Sequence, residues 1–160
     1  DQENYTLGAV IPEGMQPKPA HELAAAARIG DFLIFEEVRP ASQIKMNSPV
    51  VGVYDTFDGV RLILGAQAQS DGETWVTVGV EAAPCWPGLD AFLEANKGKG
   101  SEAGRIADQF KTPDEVAAEI GEWTHKTKGW AYKLTDYKTK RLTTTIADLV
   151  EAPKPQPQHK

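Results

Sequence analysis

Apolar and polar residues alternate most regularly between Pro49 and Ala83. A period of two is typical of β-strands, and here it predicts three antiparallel strands joined by two tight turns. The first turn is predicted at Asp58-Gly59, a dipeptide favoured in two-residue loops because both positions take a positive φ. This loop sets the register of the first two strands. On the face expected in the core, Phe57 pairs with Val60, Asp55 with Leu62, Val53 with Leu64 and Val51 with Ala66. On the other face, Thr56 pairs with Arg61 and Tyr54 with Ile63.

The second turn is predicted from the apolar pattern rather than from turn residues alone. A two-residue Asp71-Gly72 loop would set Leu64 opposite Gly79, which leaves an apolar side chain without an apolar partner. A three-residue loop over residues 70–72 places Gly72 where a left-handed residue is needed. It also pairs Ala66 with Val76, Leu64 with Val78 and Leu62 with Val80, and leaves Trp75, Thr77 and Glu81 on a wetter face with Arg61 and Gln67.

The clearest helix start lies at Thr112. Thr112 and Glu115 have the spacing of a capping box, Pro113 suits the first helical position, and the acidic side chains suit the positive end of the helix dipole. Apolar residues at Val116, Ile120 and Trp123 then form one stripe, and Gly129 is a plausible stop.

Weaker signals predict the remaining elements. A Pro-rich, extended segment over residues 1–19 could add an edge strand near Tyr5 to Ile11. Helices are also predicted from Ala20 to about Leu33, from Gly88 to Ala95 and from Tyr137 to Val150. The β-branched residues Thr143 to Thr145 lower the helix propensity of the last one. The remaining predictions are an extended piece from Phe35 to Val38, a loop over residues 41–48, a mobile loop over residues 97–104 and a strand from Trp130 to Leu134.

These elements predict an α+β fold in which an antiparallel β-meander at about residues 50–82, with additional short strands, carries helices on one face. The helices that begin at Ala20, Thr112 and Tyr137 are expected on that face. The chain length suits one domain, which we place at residues 20–150. It lies between the extended segment 1–19 and a Pro-rich tail at residues 151–160 that is expected to be disordered.

Charge and composition exclude several classes of protein. The net charge of −6 argues against a nucleic-acid-binding protein, which needs a basic surface. The single cysteine, Cys85, excludes an internal disulfide, and no apolar run approaches the length of a membrane span. The chain begins at Asp1 without Met, so an upstream signal or anchor could have been removed, and membrane proximity through such an anchor is one expectation.

The run VYDTFDGVRLILGAQAQSDGETWVTV, preceded by FEEVRPA and followed by TKGWAYKLTDYKTKRLTTTIADLVE, resembles the DUF4340 domain family. The resemblance covers roughly Leu23 to Glu151. It implies a bacterial cell-envelope protein on the periplasmic side, with an N-terminal anchor in relatives and an accessory role in membrane transport or export. It implies no catalytic residues, because the family has no agreed activity.

Few residues suggest chemistry. Asp55 falls on the predicted core face, where a carboxylate must be paired, hydrogen-bonded or protonated, and a structural role is the commoner outcome. The three histidines lack the spacing of metal ligands, so neither a metal nor any other cofactor is predicted. Gly98, Gly100 and Gly104 miss the dinucleotide fingerprint by one residue, and Cys85 has no basic neighbour in sequence that would activate it.

The best candidate for binding is the basic stretch at residues 125–141, where six basic side chains face only one acid, Asp136. Cations interleaved with aromatic rings suit anionic lipid, acidic partners or nucleic-acid strands, although solvated lysines on an ordinary surface give the same pattern. The predicted binding residues are Trp130, Tyr132, Lys133, Lys138, Lys140 and Arg141.

The leading functional hypothesis is a non-enzymatic envelope domain that binds a protein partner or a glycan-like surface near the membrane. One alternative is a hydrolase-type enzyme that uses Asp55 or Asp58 with a loop residue, which a deep polar pocket around those carboxylates would favour. The other is a module that binds anionic membrane surfaces through residues 125–141.

Overall fold

The computed structural model describes Leu7, residues 11–27 and residues 34–153. The predicted edge strand near Tyr5 and the end of the first predicted helix fall largely outside these residues. Within them, the elements in chain order are β1 (Gln16–Pro17), α1 (Ala20–Ala27), β2 (Phe35–Pro40), a 3-10 helix (Ala41–Gln43), β3 (Val50–Asp55), β4 (Val60–Ala68), β5 (Thr74–Ala82), α2 (Leu89–Asn96), α3 (Glu102–Ala107), α4 (Pro113–Thr127), β6 (Trp130–Leu134), α5 (Asp136–Leu142), a second 3-10 helix (Ile146–Leu149) and β7 (Val150–Glu151).

The chain divides into two compact units, one of residues 36–133 and one that combines residues 1–35 with residues 134–160. A five-stranded antiparallel sheet has the order β2-β6-β5-β4-β3, and β1 pairs with β7 in a second, two-stranded sheet. The predicted α+β class with an antiparallel meander is therefore confirmed. The single domain over residues 20–150 stays a prediction.

The pairing of β4 with β5 follows the predicted register. Ala66 lies opposite Val76, and Leu64 lies opposite Val78. The loop holds three residues, its Gly72 has a φ of +86°, and the Gln69 N–H donates to the Glu73 carbonyl at 2.8 Å. Leu64, Ala66 and Val76 are buried, so the burial of this apolar face fixes the register.

The first turn departs from prediction by one residue. Its loop also holds three residues, because the Thr56 N–H donates to the Val60 carbonyl at 2.8 Å and Gly59 takes a φ of +100°. The Thr56 hydroxyl accepts the Val60 N–H at 2.9 Å and so stabilises this longer loop.

The one-residue change moves every side chain of β3 to the other face. Tyr54 now lies opposite Leu62, and Asp55 lies opposite Arg61, so the prediction that Asp55 lies on the core face is wrong. Burial raises the pKa of the Tyr54 hydroxyl, as expected on the more covered face. Asp55 is exposed and needs no buried partner.

Trp75 shares a face with Gln67 as predicted, but that face is not wet at this point. The Trp75 ring is 1% exposed and lies under the Arg39 guanidinium, whose Cζ is 4.9 Å from the ring centroid. The Trp75 indole N–H donates to Glu73 at 3.2 Å, and Lys133 reaches Glu73 at 2.7 Å and Glu36 at 3.5 Å. Charged side chains with long aliphatic stems therefore cover the ring.

Helix α4 begins with the predicted capping box. Glu115 N–H donates to the Thr112 hydroxyl, and the Glu115 carboxylate accepts the Thr112 N–H at 2.7 Å. The helix packs on β5, Val116 is buried, and the predicted stop is confirmed at Gly129, which has a φ of +83°. Trp123 is 48% exposed, so the predicted apolar stripe does not extend to it.

The loop predicted over residues 97–104 is wrong at its end, because α3 begins at Glu102 with the Ser101 hydroxyl as its cap. A Cβ on Gly104 would lie 1.8 Å from the Lys99 carbonyl oxygen. Only glycine allows this close approach of two backbone segments, so Gly104 is a packing residue rather than a loop residue.

In the unit that contains both chain ends, α1 contacts α5 and β7 pairs with β1. The helix predicted to run to Val150 is wrong, because α5 ends at Leu142. The Thr143 and Thr144 hydroxyls donate back to carbonyls one turn earlier, and Thr145 starts a new turn through a capping box with Asp148. The predicted disordered tail is also wrong at Glu151, which belongs to β7.

The packing of α1 and α5 on the sheet stays a prediction. No helix in the described part of the chain is both long and apolar enough to cross a membrane.

Candidate functional site

The unit of residues 36–133 contains an open cleft with a volume of about 360 Å³. Its walls are the first hairpin turn, the segment that follows β5, helix α2 and the first half of α4. Most of the wall is apolar, with polar side chains at Asp58, Asp90, Cys85 and Lys111. The apolar side chains of the wall include Ala82, Trp86, Leu89, Leu93, Val116, Ala117 and Ile120.

Backbone contacts attach the hairpin turn to the segment after β5. The Ala83 N–H donates to the Gly59 carbonyl at 2.8 Å, and the Trp86 N–H donates to the Phe57 carbonyl at 2.9 Å. Gly59 is buried, and a Cβ there would lie 3.0 Å from both the Ala83 oxygen and the Cys85 sulfur. The cleft wall therefore depends on a glycine at this position.

Four aromatic rings form a continuous row beside the cleft, which we call the aromatic row. Ring centroids are 6.1 Å apart for Phe57 and Trp86, 5.9 Å for Trp86 and Phe92, and 6.1 Å for Phe92 and Phe110. These spacings and the tilted or edge-on geometries are those of favourable aromatic pairs. Phe57 is 67% and Trp86 43% exposed, so one end of the row faces solvent.

The polar groups of the cleft leave it with an acidic character. The Lys111 ammonium lies 2.6 Å from the Glu119 carboxylate, a hydrogen bond that raises the pKa of Lys111 and neutralises its charge locally. The Asp58 carboxylate accepts the Thr56 hydroxyl at 2.5 Å, which leaves its charge in place. No described residue forms an ion pair with Asp90.

Cys85 is the only thiol in the lining of the cleft. Cys85 is exposed and donates to the Asp58 carbonyl at 3.3 Å, a contact that does not activate a thiol. Among the residues that the structure describes, no three His, Cys, Asp or Glu side chains come together in a way that could hold a metal ion.

Asp55 and Asp58, the two alternatives in the enzyme hypothesis, have different surroundings. Asp58 lines the cleft, whereas Asp55 forms a bidentate ion pair with Arg61 at 2.7 and 2.8 Å. That hydrogen bonding lowers the pKa of Asp55, so the carboxylate is ionised and already occupied. Arg61 also reaches Glu81 at 3.6 Å, and the three side chains bridge β3, β4 and β5.

The predicted binding residues divide between the two units. In β6, Tyr132 shares a face with Val76 while Lys133 shares the opposite face with Trp75, and Lys133 is held by Glu73 and Glu36. Trp130 is 43% exposed. Lys138, Lys140 and Arg141 lie on α5 in the other unit, where Lys138 is buried. Binding through these six residues stays a prediction.

Sequence reasoning missed the cleft and its aromatic row. The available signal was Phe57, a large aromatic side chain at the tip of a tight turn, where solvent exposure is expected. Its partners Trp86, Phe92 and Phe110 come from separate segments, and the spacing along the chain does not show that they meet.

In comparisons with protein-family models, curated proteins and solved structures, no match to this chain was found.

Proposed function

We propose that this chain is a non-enzymatic domain of a bacterial cell-envelope protein, and that its cleft receives an apolar side chain of a protein partner. The observation that carries the proposal is an apolar cleft bordered by a partly exposed aromatic row. The cellular compartment and an accessory role in transport rest on the resemblance to the DUF4340 family alone.

The dimensions of the cleft suit an anchoring side chain. Ligand pockets usually measure roughly 300–1,000 Å³, and a cleft of about 360 Å³ accepts one large side chain with part of its backbone. Tryptophan is enriched among the residues that dominate protein–protein affinity, and such residues sit beside pockets that exclude water. Trp86 has this position, because it lines the cleft and its ring packs against the exposed Phe57.

The charge around the cleft indicates the flanking chemistry of the partner. Asp58 and Asp90 line the cleft, and Lys111 is neutralised by Glu119. Residues 36–133 carry fifteen acidic and ten basic side chains in total. The partner segment should therefore present a large apolar residue flanked by lysine or arginine, since complementary charge speeds association and selects the partner.

The test uses the four indole N–H signals of the protein in a nitrogen-15 NMR spectrum. The probe is the peptide acetyl-Lys-Phe-Lys-amide, titrated to several millimolar. We expect a saturable shift of the Trp86 signal, while the buried Trp75 and the exposed Trp123 and Trp130 signals stay in place.

Two variants and one control peptide make the result specific. Phe57→Ala should weaken binding about tenfold or more, which corresponds to about 1.4 kcal/mol. Trp123→Ala, which removes a tryptophan of similar exposure outside the cleft, should leave the affinity unchanged. Acetyl-Glu-Phe-Glu-amide should bind more weakly than the basic peptide. Equal shifts at all exposed tryptophans, or no shift at Trp86, would overturn the proposal.

A further inference from the structure

Strand β3 forms one edge of the five-stranded sheet. In its pairing with β4, Thr56 and Val60 form a hydrogen-bonded pair, so by alternation Tyr54, Gly52 and Val50 also turn their backbone groups toward β4. Val51, Val53 and Asp55 direct theirs outward. Within the described part of the chain, no hydrogen bond reaches these outward groups.

The edge lacks the features that protect exposed strands from further pairing. Such strands are usually short, carry lysine or an internal proline, or contain a bulge. β3 has six residues, VVGVYD, with no lysine, no internal proline and an uninterrupted ladder to β4. Its valines are 49% (Val50), 55% (Val51) and 54% (Val53) exposed, which gives the edge an apolar surface.

We propose that β3 pairs antiparallel with β3 of a second copy of this chain, about a two-fold axis at Gly52. Each outward-facing valine then meets another, since Val51 lies opposite Val53 of the second copy and Val53 lies opposite its Val51. On the other face Val50 lies opposite Tyr54. Cross-strand pairs of β-branched residues, or of an aromatic with a β-branched residue, are favourable.

The distribution of charge on β3 supports a second copy of this chain as the partner of the exposed strand edge. The only charged residue of β3 is Asp55, and its partner Arg61 on β4 already neutralises it. In the proposed register Asp55 lies opposite Pro49, so the two carboxylates stand at opposite ends of the paired strands and do not repel each other. A strand that is apolar, neutral and complementary to itself satisfies the requirement of a two-fold interface, in which one surface must fit its own copy.

The test is sedimentation of the full chain from about 1 to 500 µM. We expect a concentration-dependent dimer, and at least about tenfold weaker dimerisation for Val53→Lys, since lysine on an edge strand disfavours pairing. The matched control is Val38→Lys, because Val38 is 50% exposed on β2 at the other edge of the sheet. That variant should dimerise like the wild type. Circular dichroism melts establish that both variants fold.

The register is tested by electron-spin distance measurements between copies labelled at Ser48→Cys in a Cys85→Ser background. Ser48 is exposed and lies two residues before β3. With the spacing of the strand, about 3.4 Å per residue, extended to Ser48, it lies eight residues from its copy, so the two Cα atoms should be about 27 Å apart. A monomer at all concentrations, a dimer that Val53→Lys leaves intact, or equal dissociation by Val38→Lys would each overturn the proposal. A distance of about 34 Å would place the axis at Val53 instead, one of about 20 Å would place it at Val51, and either would overturn the Gly52 register.

Discussion

Two glycines hold the left-handed position of equivalent three-residue turns, and only one of them lines the cleft. Gly59 has a φ of +100° and Gly72 a φ of +86°. A Cβ at Gly72 would meet open space, whereas one at Gly59 would meet the Ala83 oxygen and the Cys85 sulfur at 3.0 Å. Comparison of the two positions therefore separates backbone strain from steric conflict.

Gly72→Ala should lower the free energy of unfolding by about 1 kcal/mol, the usual cost of an L-residue in the left-handed region. Gly59→Ala should cost at least about 2 kcal/mol, since one of its two close neighbours is backbone and cannot move away easily. Urea unfolding measures both. Equal losses for the two variants would show that the contacts at Gly59 relax without cost.

Asp55 shows how a one-residue error changes the interpretation of a side chain. The sequence placed it between Val53 and Phe57 on a core face, which made it a candidate site. In the structure it faces Arg61 on an exposed surface and forms an ordinary cross-strand ion pair. The expectation that the carboxylate needs a partner agrees with the ion pair, but the side chains around it depend on the length of the first turn.

Among the elements, the two hairpins explain which parts of the fold the sequence could predict. β4 and β5 have apolar residues concentrated on one face, so only one register buries them, and that register is observed. β3 carries valine on both faces, at Val50 and at Val51 and Val53, so its pattern does not select a register. Asp58-Gly59 fits a loop of two or three residues, and the Thr56 hydroxyl decides between them.

The helices also differ in how well local sequence signals predict where they begin and end. α4 was predicted because its start signals are local, whereas α5 was predicted too long because the stripe of Leu142, Ile146 and Leu149 continues past the point where the backbone stops being helical. The three threonines from Thr143 bond to nearby backbone and to Asp148. Such local bonds compete with the helix, and apolar periodicity does not reveal them.

Thr112→Ala tests how much the start of α4 contributes. The Thr112 hydroxyl and the Glu115 carboxylate satisfy backbone N–H groups that the helix itself leaves unpaired. Loss of such a cap usually costs about 1 kcal/mol of folding free energy, and Thr112→Ser should retain nearly all of it. Chemical denaturation compares the two. If serine were as damaging as alanine, packing of the threonine methyl group rather than capping would explain the loss.

At the scale of the whole molecule, the cleft could not be predicted from local patterns. Its walls come from residues 58–59, 82–93 and 111–120, three segments whose meeting depends on the register of the first turn and on the packing of α4. Phe57 was placed on the core face in the predicted register. With the observed three-residue loop it stands at the turn, where it can contact Trp86.

The pH dependence of stability depends on several surface carboxylates together. The Lys133 ammonium, through a hydrogen bond, lowers the pKa of Glu73, with the Trp75 indole adding to the effect. Hydrogen bonds lower the pKa of four other carboxylates in the same way. The donors are the Arg61 side chain for Asp55, the Thr112 backbone for Glu115, the Lys126 side chain for Glu122 and the Thr145 backbone for Asp148. Each carboxylate binds protons less readily when folded, so its contribution is complete above the unfolded pKa of about 4 and is lost as pH falls through the folded value.

Glu73→Gln should therefore be less stable than the wild type at pH 7. The difference should close as pH falls through the lowered, folded-state pKa of Glu73, below which the side chain is protonated in both folded and unfolded chains. The free energy of unfolding in urea, measured between pH 2.5 and 8, gives the curve. Glu94→Gln is the control, because Glu94 is exposed and no described residue forms an ion pair with it. Its curve should run parallel to that of the wild type. A difference in unfolding free energy between Glu73→Gln and the wild type that stayed constant with pH would contradict this prediction. It would mean that the charge of Glu73 does not matter and that the glutamate supports Trp75 through packing.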